Sequence, residues 1–219
     1  MPPKPKYTKE EIIAAAFELV REAGSDALTA REVGKRLSTS SSPIFTVFRD
    51  MDELREAVHA MAKARFDAYM AVAENYVPAY KMRGMQWVKF AAEEPRLFQL
   101  LFMQHGDGAD FDRAMSEILF SRESDIHIIM RDYHASREAA EHLFRQMWIY
   151  TYGLCALSAA GVCIFTEAEI ATRLGEIFRG MVFVLQNGNA AATGIHPAVR
   201  GSSASEKIEK ENPNLSEKG

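Results

Sequence analysis

The sequence predicts an all-α protein, and three observations carry that prediction. Helix-start signatures recur in quick succession near the N-terminus. Apolar side chains return at three- and four-residue steps along most of residues 9–187, and strand-like alternation of apolar and polar residues is nearly absent. A chain of 219 residues with 47% hydrophobic and 26% charged residues is long and apolar enough to bury a real core, which excludes disorder of the whole. No window approaches the run of about 18 apolar residues that a membrane-spanning helix needs, so no membrane partner is expected. The opening MPPKPKYTKEE lacks the apolar stretch of a secretory signal. Two cysteines, Cys155 and Cys163, are too few for a disulfide framework, and a cytoplasmic protein is the expectation.

Thr8-Lys9-Glu10-Glu11 is a capping box, in which the Thr hydroxyl and the Glu carboxylate each accept a hydrogen bond from an amide that the first turn leaves without a partner. The first helix is expected over about Lys9 to Ala23, burying Ile12, Ile13, Ala16, Phe17, Leu19 and Val20, with Gly24 as a left-handed cap. Thr29-Ala30-Arg31-Glu32 repeats the box and starts a short second helix to about Leu37. Its Val33 and Leu37 point inward; Arg31, Lys35 and Arg36 point outward. Ser38-Thr39-Ser40 then turns the chain into a third helix. A cap at Ser40, Ser41 or Ser42 places Pro43 in its first turn, where a missing N–H is tolerated. Two short helices joined in this way make a helix-turn-helix.

Asp50-Met51-Asp52-Glu53 starts a fourth, connecting helix, in which Leu54, Ala57, Val58, Met61, Ala64, Ala68, Tyr69 and Val72 keep helical spacing as far as Pro78. Further helices are expected at roughly 80–92, 96–104, 111–134, 137–163 and 167–187, with breaks at Glu93-Glu94-Pro95 and at residues 104–108. From residue 188 the composition turns polar without apolar periodicity, which predicts a disordered tail. The expected division is 1–52 for the helix-turn-helix domain, 53–187 for a second helical domain and 188–219 for the tail.

A net charge of −4 argues against a nucleic-acid binder, but its distribution does not, because residues 1–49 hold 8 Lys/Arg against 6 Asp/Glu. A helix with small polar residues at its N-terminal end enters the major groove closely, and its free amides and dipole favour phosphate. Ser40, Ser41, Ser42 and Thr46 are the candidates for base edges. Arg31, Arg49, Lys4 and Lys6, with Lys35 or Arg36, are the candidates for phosphates. The competing reading of the serine run is a flexible turn with no ligand.

The stretch Ile12-Ile13-Ala14-Ala15-Ala16-Phe17-Glu18-Leu19-Val20, Gly24, Leu28-Thr29-Ala30-Arg31-Glu32-Val33-Gly34 and Ser40-Ser41-Ser42-Pro43-Ile44-Phe45-Thr46-Val47-Phe48-Arg49-Asp50-Met51-Asp52-Glu53-Leu54 resembles the DNA reader and connecting helix of the TetR/AcrR family of helical transcriptional regulators. The resemblance covers about fifty residues. It implies a helix-turn-helix DNA-binding domain followed by a C-terminal helical domain for ligand binding and dimerisation. A homodimer would bind an inverted-repeat operator in double-stranded DNA, usually as a repressor and not as an enzyme, and a small apolar effector would release it. No cofactor is implied. The DNA-binding set carried over is Lys4, Lys6, Thr29, Arg31, Ser40, Ser41, Ser42, Pro43, Phe45, Thr46 and Arg49. Three positions depart from the family pattern: Phe45 stands where a tyrosine often reaches a phosphate, Met51 where a lysine is frequent, and Ser42 where a glycine is usual. Trp148-Ile149-Tyr150-Thr151-Tyr152-Gly153 echoes a Trp-x-x-x-His-Gly stretch of some members, but Tyr152 replaces the histidine, so no metal or ligand role follows from it.

For the second domain, adaptable Met and aromatic residues suit an apolar pocket, and Met82, Met85, Phe98, Phe102, Met130, Phe144, Met147 and Trp148 are its candidates; for each of them ordinary core is the competing reading. His105, His127, His134, His142, Asp132 and Tyr133 are candidates for polar contacts there. His127 and His134 lie two helical turns apart, too far to chelate one ion alone, so no metal site is expected. The family's dimer bundle places Gly153, Ala156, Ala160, Ile170, Leu174, Phe178 and Met181 at the expected interface, although burial within one subunit explains the small residues nearly as well. Cys155 and Cys163 are about 12 Å apart along a helix, beyond a disulfide's span. Two alternatives remain at this point. One is a DNA-binding dimer without an inducer. The other is a helical enzyme built on the His and Asp groups of residues 105–142, for which no catalytic motif is present.

Overall fold

The computed structural model describes residues 7–103 and 122–187. Among these are eight α-helices and no strand: α1 (Lys9–Ala23), α2 (Ala30–Arg36), α3 (Met51–Val72), α4 (Ala79–Glu93), α5 (Pro95–Phe102), α6 (Arg122–Tyr133), α7 (Arg137–Ala159) and α8 (Glu167–Asn187). Lys4, Lys6, His105, the expected break at 104–108, the first part of the expected 111–134 helix and the expected tail lie outside the described residues.

Local chemistry sets most boundaries. The first capping box closes in both directions, with the Glu11 amide donating to Thr8 Oγ1 at 3.2 Å and the Thr8 amide donating to Glu11 Oε2 at 2.8 Å. Helix α1 ends at Gly24, whose φ of 88° and ψ of 172° differ from the expected left-handed helical cap and lie in a region that essentially only glycine occupies. At Thr29 only half of the second box forms, the Glu32 amide donating to Thr29 Oγ1 at 3.3 Å. Asp50 caps α3 by accepting from the amides of Asp52 and Glu53.

The third helix is where expectation and structure part. Between α2 and α3 the chain makes only a 3₁₀ turn at Ile44–Thr46. Pro43 has no amide to donate, Ile44, Thr46 and Val47 are β-branched, and Thr46 Oγ1 donates to the Pro43 carbonyl at 2.6 Å, competing for an acceptor a longer helix would use. A run this short, with those residues, settles into the tighter helix.

The connecting helix buries the expected Leu54 and Val58 but then keeps to a narrower stripe than expected. Leu54, Val58, Ala62, Phe66 and Met70 are its buried residues, at strict four-residue steps, while Met61, Ala64, Ala68 and Val72 are exposed. The stripe follows what α3 packs on: the Phe66 ring lies 4.8 Å from Trp87, 5.2 Å from Phe90 and 5.0 Å from Phe102, joining α3 to α4 and α5. Helix α4 packs on α7, and α7 on α6. Helix α7 stops at Ala159, four residues short of the expected end, in a Schellman turn around Gly161. The core is continuous from Ile12 to Leu174.

Candidate nucleic-acid interface and internal cavity

Helix α2 ends in a Schellman motif: the Ser38 amide donates to the Lys35 carbonyl at 3.0 Å and the Thr39 amide to the Gly34 carbonyl at 2.8 Å. Ser38 occupies the left-handed position, with φ 53°. This folds Thr39-Ser40 back across Gly34 so closely that a β-carbon on Gly34 would sit 2.8 Å from the Ser40 carbonyl oxygen. The following 3₁₀ turn is pinned from inside by Ile44 and Phe48, both fully buried. Ser40, Ser42, Phe45 and Thr46 are left exposed on the outside, with Ser41 and Pro43 partly covered between them. Thr29 and Arg31, at the start of α2, are also exposed.

The cations of this unit divide into engaged and available. Arg36 forks onto Glu22 with both contacts at 2.7 Å, which turns it back onto α1. Arg49 pairs with its neighbour Asp50 at 2.8 Å; the pair raises the guanidinium's pKa and lowers the carboxylate's. Lys35 reaches Glu32 at 3.4 Å. Arg31 makes no ion pair among the described residues. Tyr7 donates its hydroxyl to the Leu37 carbonyl at 2.5 Å, tying the start of the described chain to the end of α2.

A buried carboxylate joins this unit to the remaining helices. Glu94, between α4 and α5, is almost fully buried; it accepts from Arg21 of α1 at 2.6 and 2.8 Å and from Arg65 of α3 at 3.0 and 3.2 Å. Such charge-assisted bonds satisfy an ion that burial would otherwise penalise heavily. At the other end of α5, the Phe102 carbonyl accepts from the Tyr152 hydroxyl at 3.0 Å. The short α5 is thus held at its start by α1 and α3, and at its end by α7.

Tyr152 belongs to the wall of a cavity of about 180 Å³. Its lining comes from α4 (Tyr80, Lys81, Arg83, Gly84, Trp87), α6 (Asp125, Tyr133), α7 (Phe144, Met147, Trp148, Thr151, Tyr152) and α8 (Leu174, Gly175, Phe178, Arg179). Trp148 stacks on Tyr152 with ring centres 5.0 Å apart, and Tyr133 lies 4.5 Å from Phe178. Arg83 and Asp125 form a buried ion pair within this wall. Burial, and next the negative charge of Asp125, pushes the Tyr80 hydroxyl well above its ordinary pKa; burial also raises those of Tyr133 and Tyr152. All three phenols therefore stay protonated and able to donate.

Of the expected pocket residues, Phe144, Met147 and Trp148 line this cavity. Met82, Met85, Phe98, Phe102 and Met130 do not: Phe98 and Phe102 are buried behind Trp87, with rings 6.4 and 4.6 Å from it, and Met85 and Met130 pack against the core. Of the expected interface residues, Gly153 and Ala160 are exposed and Ala156 and Met181 half-buried, but Ile170 and Leu174 are buried within the subunit, and Leu174 and Phe178 belong to the cavity wall. The helical periodicity of α8 marks one apolar stripe and says nothing about which partner covers it. The apolar residues left exposed on α7 and α8 include Ile149, Leu157, Phe183 and Val184.

His127, His134 and His142 are exposed and are not gathered; Asp132 accepts from the Ala79 amide at 3.2 Å, steadying the start of α4. Among the described residues no group of three His, Cys, Asp or Glu could hold a metal ion. Cys155 is buried, which raises its thiol pKa, and Cys163 is half-buried. Tyr7, Glu94, Lys81, Arg83, Asp125 and Arg179 escaped sequence reasoning. Only Glu94 carried a signal, as an acid beside a proline break where two helices meet.

Residues 12–58 match the model of the family described as bacterial regulatory proteins, tetR family. The chain is 28% identical over 104 residues to the tetracycline repressor protein class A from transposon 1721 of Escherichia coli, an alignment covering 48% of this chain and 44% of that protein. The chain thus spans less than half the length of that curated relative. Two solved structures share the fold. A TetR-like transcriptional regulator from Rhodococcus sp. RHA1 matches with a TM-score of 0.58 and 14% identity, covering 82% of this chain and 96% of that one. A protein of unknown function from Rhodococcus sp. RHA1 matches with a TM-score of 0.60 and 18% identity, covering 82% and 97%.

Proposed function

We propose that this chain, whose residues 12–58 match the tetR family of bacterial regulatory proteins and whose fold is shared with a TetR-like regulator, is a ligand-responsive transcriptional repressor. It acts as a homodimer on an inverted-repeat operator and leaves the DNA when a small molecule fills the cavity among α4, α6, α7 and α8. The observation that carries the reading is the turn after α2. Gly34 lets it close, buried Ile44 and Phe48 fix its orientation, and it offers Ser40, Ser42, Phe45 and Thr46 outward as one small ridge. Serine and threonine hydroxyls suit base edges and phosphates, and the Phe45 ring suits a thymine methyl. Arg31, which makes no ion pair among the described residues, is offered to a phosphate, with Arg49 exchanging its exposed partner Asp50 for one at little cost.

One reader binds weakly, so a twofold pair is needed. The exposed apolar residues Ile149 and Leu157 lie eight apart on the outer side of α7, around Gly153, and Val184 adds to them from α8; these form the proposed pairing surface. The α5 helix supplies the route from cavity to reader. A ligand that displaces Tyr152 or Trp87 shifts the end of α5, and Glu94 at its start passes the shift to Arg21 of α1 and Arg65 of α3. The ligand must favour the DNA-incompetent arrangement, and operator DNA must then weaken ligand binding by the same factor.

Footprinting on DNA flanking the gene tests the proposal. A protected inverted repeat is expected, with affinity falling linearly in log–log terms as salt rises, since phosphate neutralisation releases counterions. Binding to duplex DNA that ignores salt, or no protection at all, defeats it.

A further inference from the structure

Seven aromatic side chains stand in the cavity wall, yet two positive charges at it lack a counter-ion among the described residues. Lys81 of α4 and Arg179 of α8 both line the cavity, and both heads turn toward Gly175: a β-carbon there would lie 3.4 Å from Arg179 Nη1 and 3.9 Å from Lys81 Nζ. Neither side chain makes an ion pair among the described residues. Asp125, the carboxylate of the lining, is already matched by Arg83. Two cations from different helices therefore face one small space that glycine leaves open, with aromatic rings beneath it. A cavity of about 180 Å³ has the scale of the engineered apolar cavity of ~150 Å³ that accepts benzene, so one or two fused rings are the limit.

We infer that the cavity takes a small planar aromatic carboxylate, its ring among Tyr133, Trp148 and Phe178 and its carboxylate over Gly175 between Lys81 Nζ and the Arg179 guanidinium. The guanidinium fork matches a carboxylate's two oxygens, and the ammonium adds a point charge from the opposite side. The Tyr80 hydroxyl, held protonated in the wall, offers a further donor. This narrows the earlier expectation of an apolar effector to an amphipathic one, and it rests on the reading of the cavity as the effector site.

Calorimetric titration of the full chain near neutral pH, using 2-naphthoate and benzoate against their neutral isosteres 2-naphthamide and benzamide, tests it. At least one acid should bind about tenfold or more tightly than its amide, the size expected of a charge-assisted contact. Gly175→Asp sets a carboxylate beside both cations and should remove that advantage while leaving the amide's affinity within about twofold. The double variant Lys81→Met with Arg179→Met should bring acid and amide to equal affinity. Amides binding as well as acids in the unaltered protein overturns the carboxylate assignment and leaves the cavity reading standing. An acid preference that survives in both variants overturns the placement at this rim. Failure of all four compounds to bind removes the cavity reading and this inference together.

Discussion

Two neighbouring residues decide the reader's shape, and they should respond oppositely to substitution. Gly34→Ala gains helix propensity, but its β-carbon meets the Ser40 carbonyl at 2.8 Å, a contact backbone must move to relieve. A net loss of about 1–3 kcal/mol in urea unfolding is expected, with a larger loss of operator affinity because the displaced atoms belong to the ridge proposed to contact DNA. Ser38→Gly relieves a left-handed serine and should be neutral or stabilising by up to about 1 kcal/mol. Equal losses in both variants would refute the close-approach account. Arg31→Ala should weaken binding to all duplexes alike and make the salt slope shallower by about one, as measured by fluorescence anisotropy across a salt series. A change in sequence preference instead would assign Arg31 to a base.

At the scale of elements, α5 is the piece held at both ends, and the doubly paired Glu94 is the grip at its start. Glu94→Gln keeps the shape but removes the charge that two arginines share. A loss of about 1–3 kcal/mol in unfolding free energy is expected, read as a lower urea midpoint. Arg21→Ala leaves Arg65 on the carboxylate and should cost less; the reverse order would place the main grip at α3. The elements were also where the sequence was most readable. Capping boxes and prolines act within a few residues, so α1, α4, α5 and α8 begin close to where pattern puts them. The third helix, expected after the serine run, shortens to a 3₁₀ turn because its outcome depends on competition for one carbonyl, between the Thr46 hydroxyl and backbone amides. The buried face of α3 was misread for a different reason: alanine satisfies either side of a helix, so Ala62 and Ala64 look alike until Phe66 finds Trp87, Phe90 and Phe102.

For the whole molecule, the stretch of sequence that resembles the family's reader coincides with the matched family region, whereas the cavity was legible only in part. Phe144, Met147 and Trp148 were expected in it, but Phe178 was expected at a dimer interface, and Lys81, Arg83, Asp125 and Arg179 meet across helices far apart in the chain, a meeting of which spacing carries no trace. The assembly is proposed to depend on the outer side of α7. Leu157→Glu replaces an exposed apolar residue, so the subunit should keep its fold by circular dichroism while sedimentation shifts from dimer to monomer and operator affinity falls by at least about a hundredfold. A variant that stays dimeric would move the pairing surface elsewhere.

The chain's two tryptophans, Trp87 and Trp148, both border the same internal space. Its ultraviolet emission is therefore an intrinsic gauge of what occupies that space. Quenching or a colour shift on adding a compound reports occupancy without any dye, and a library can be sorted by it before the operator is known.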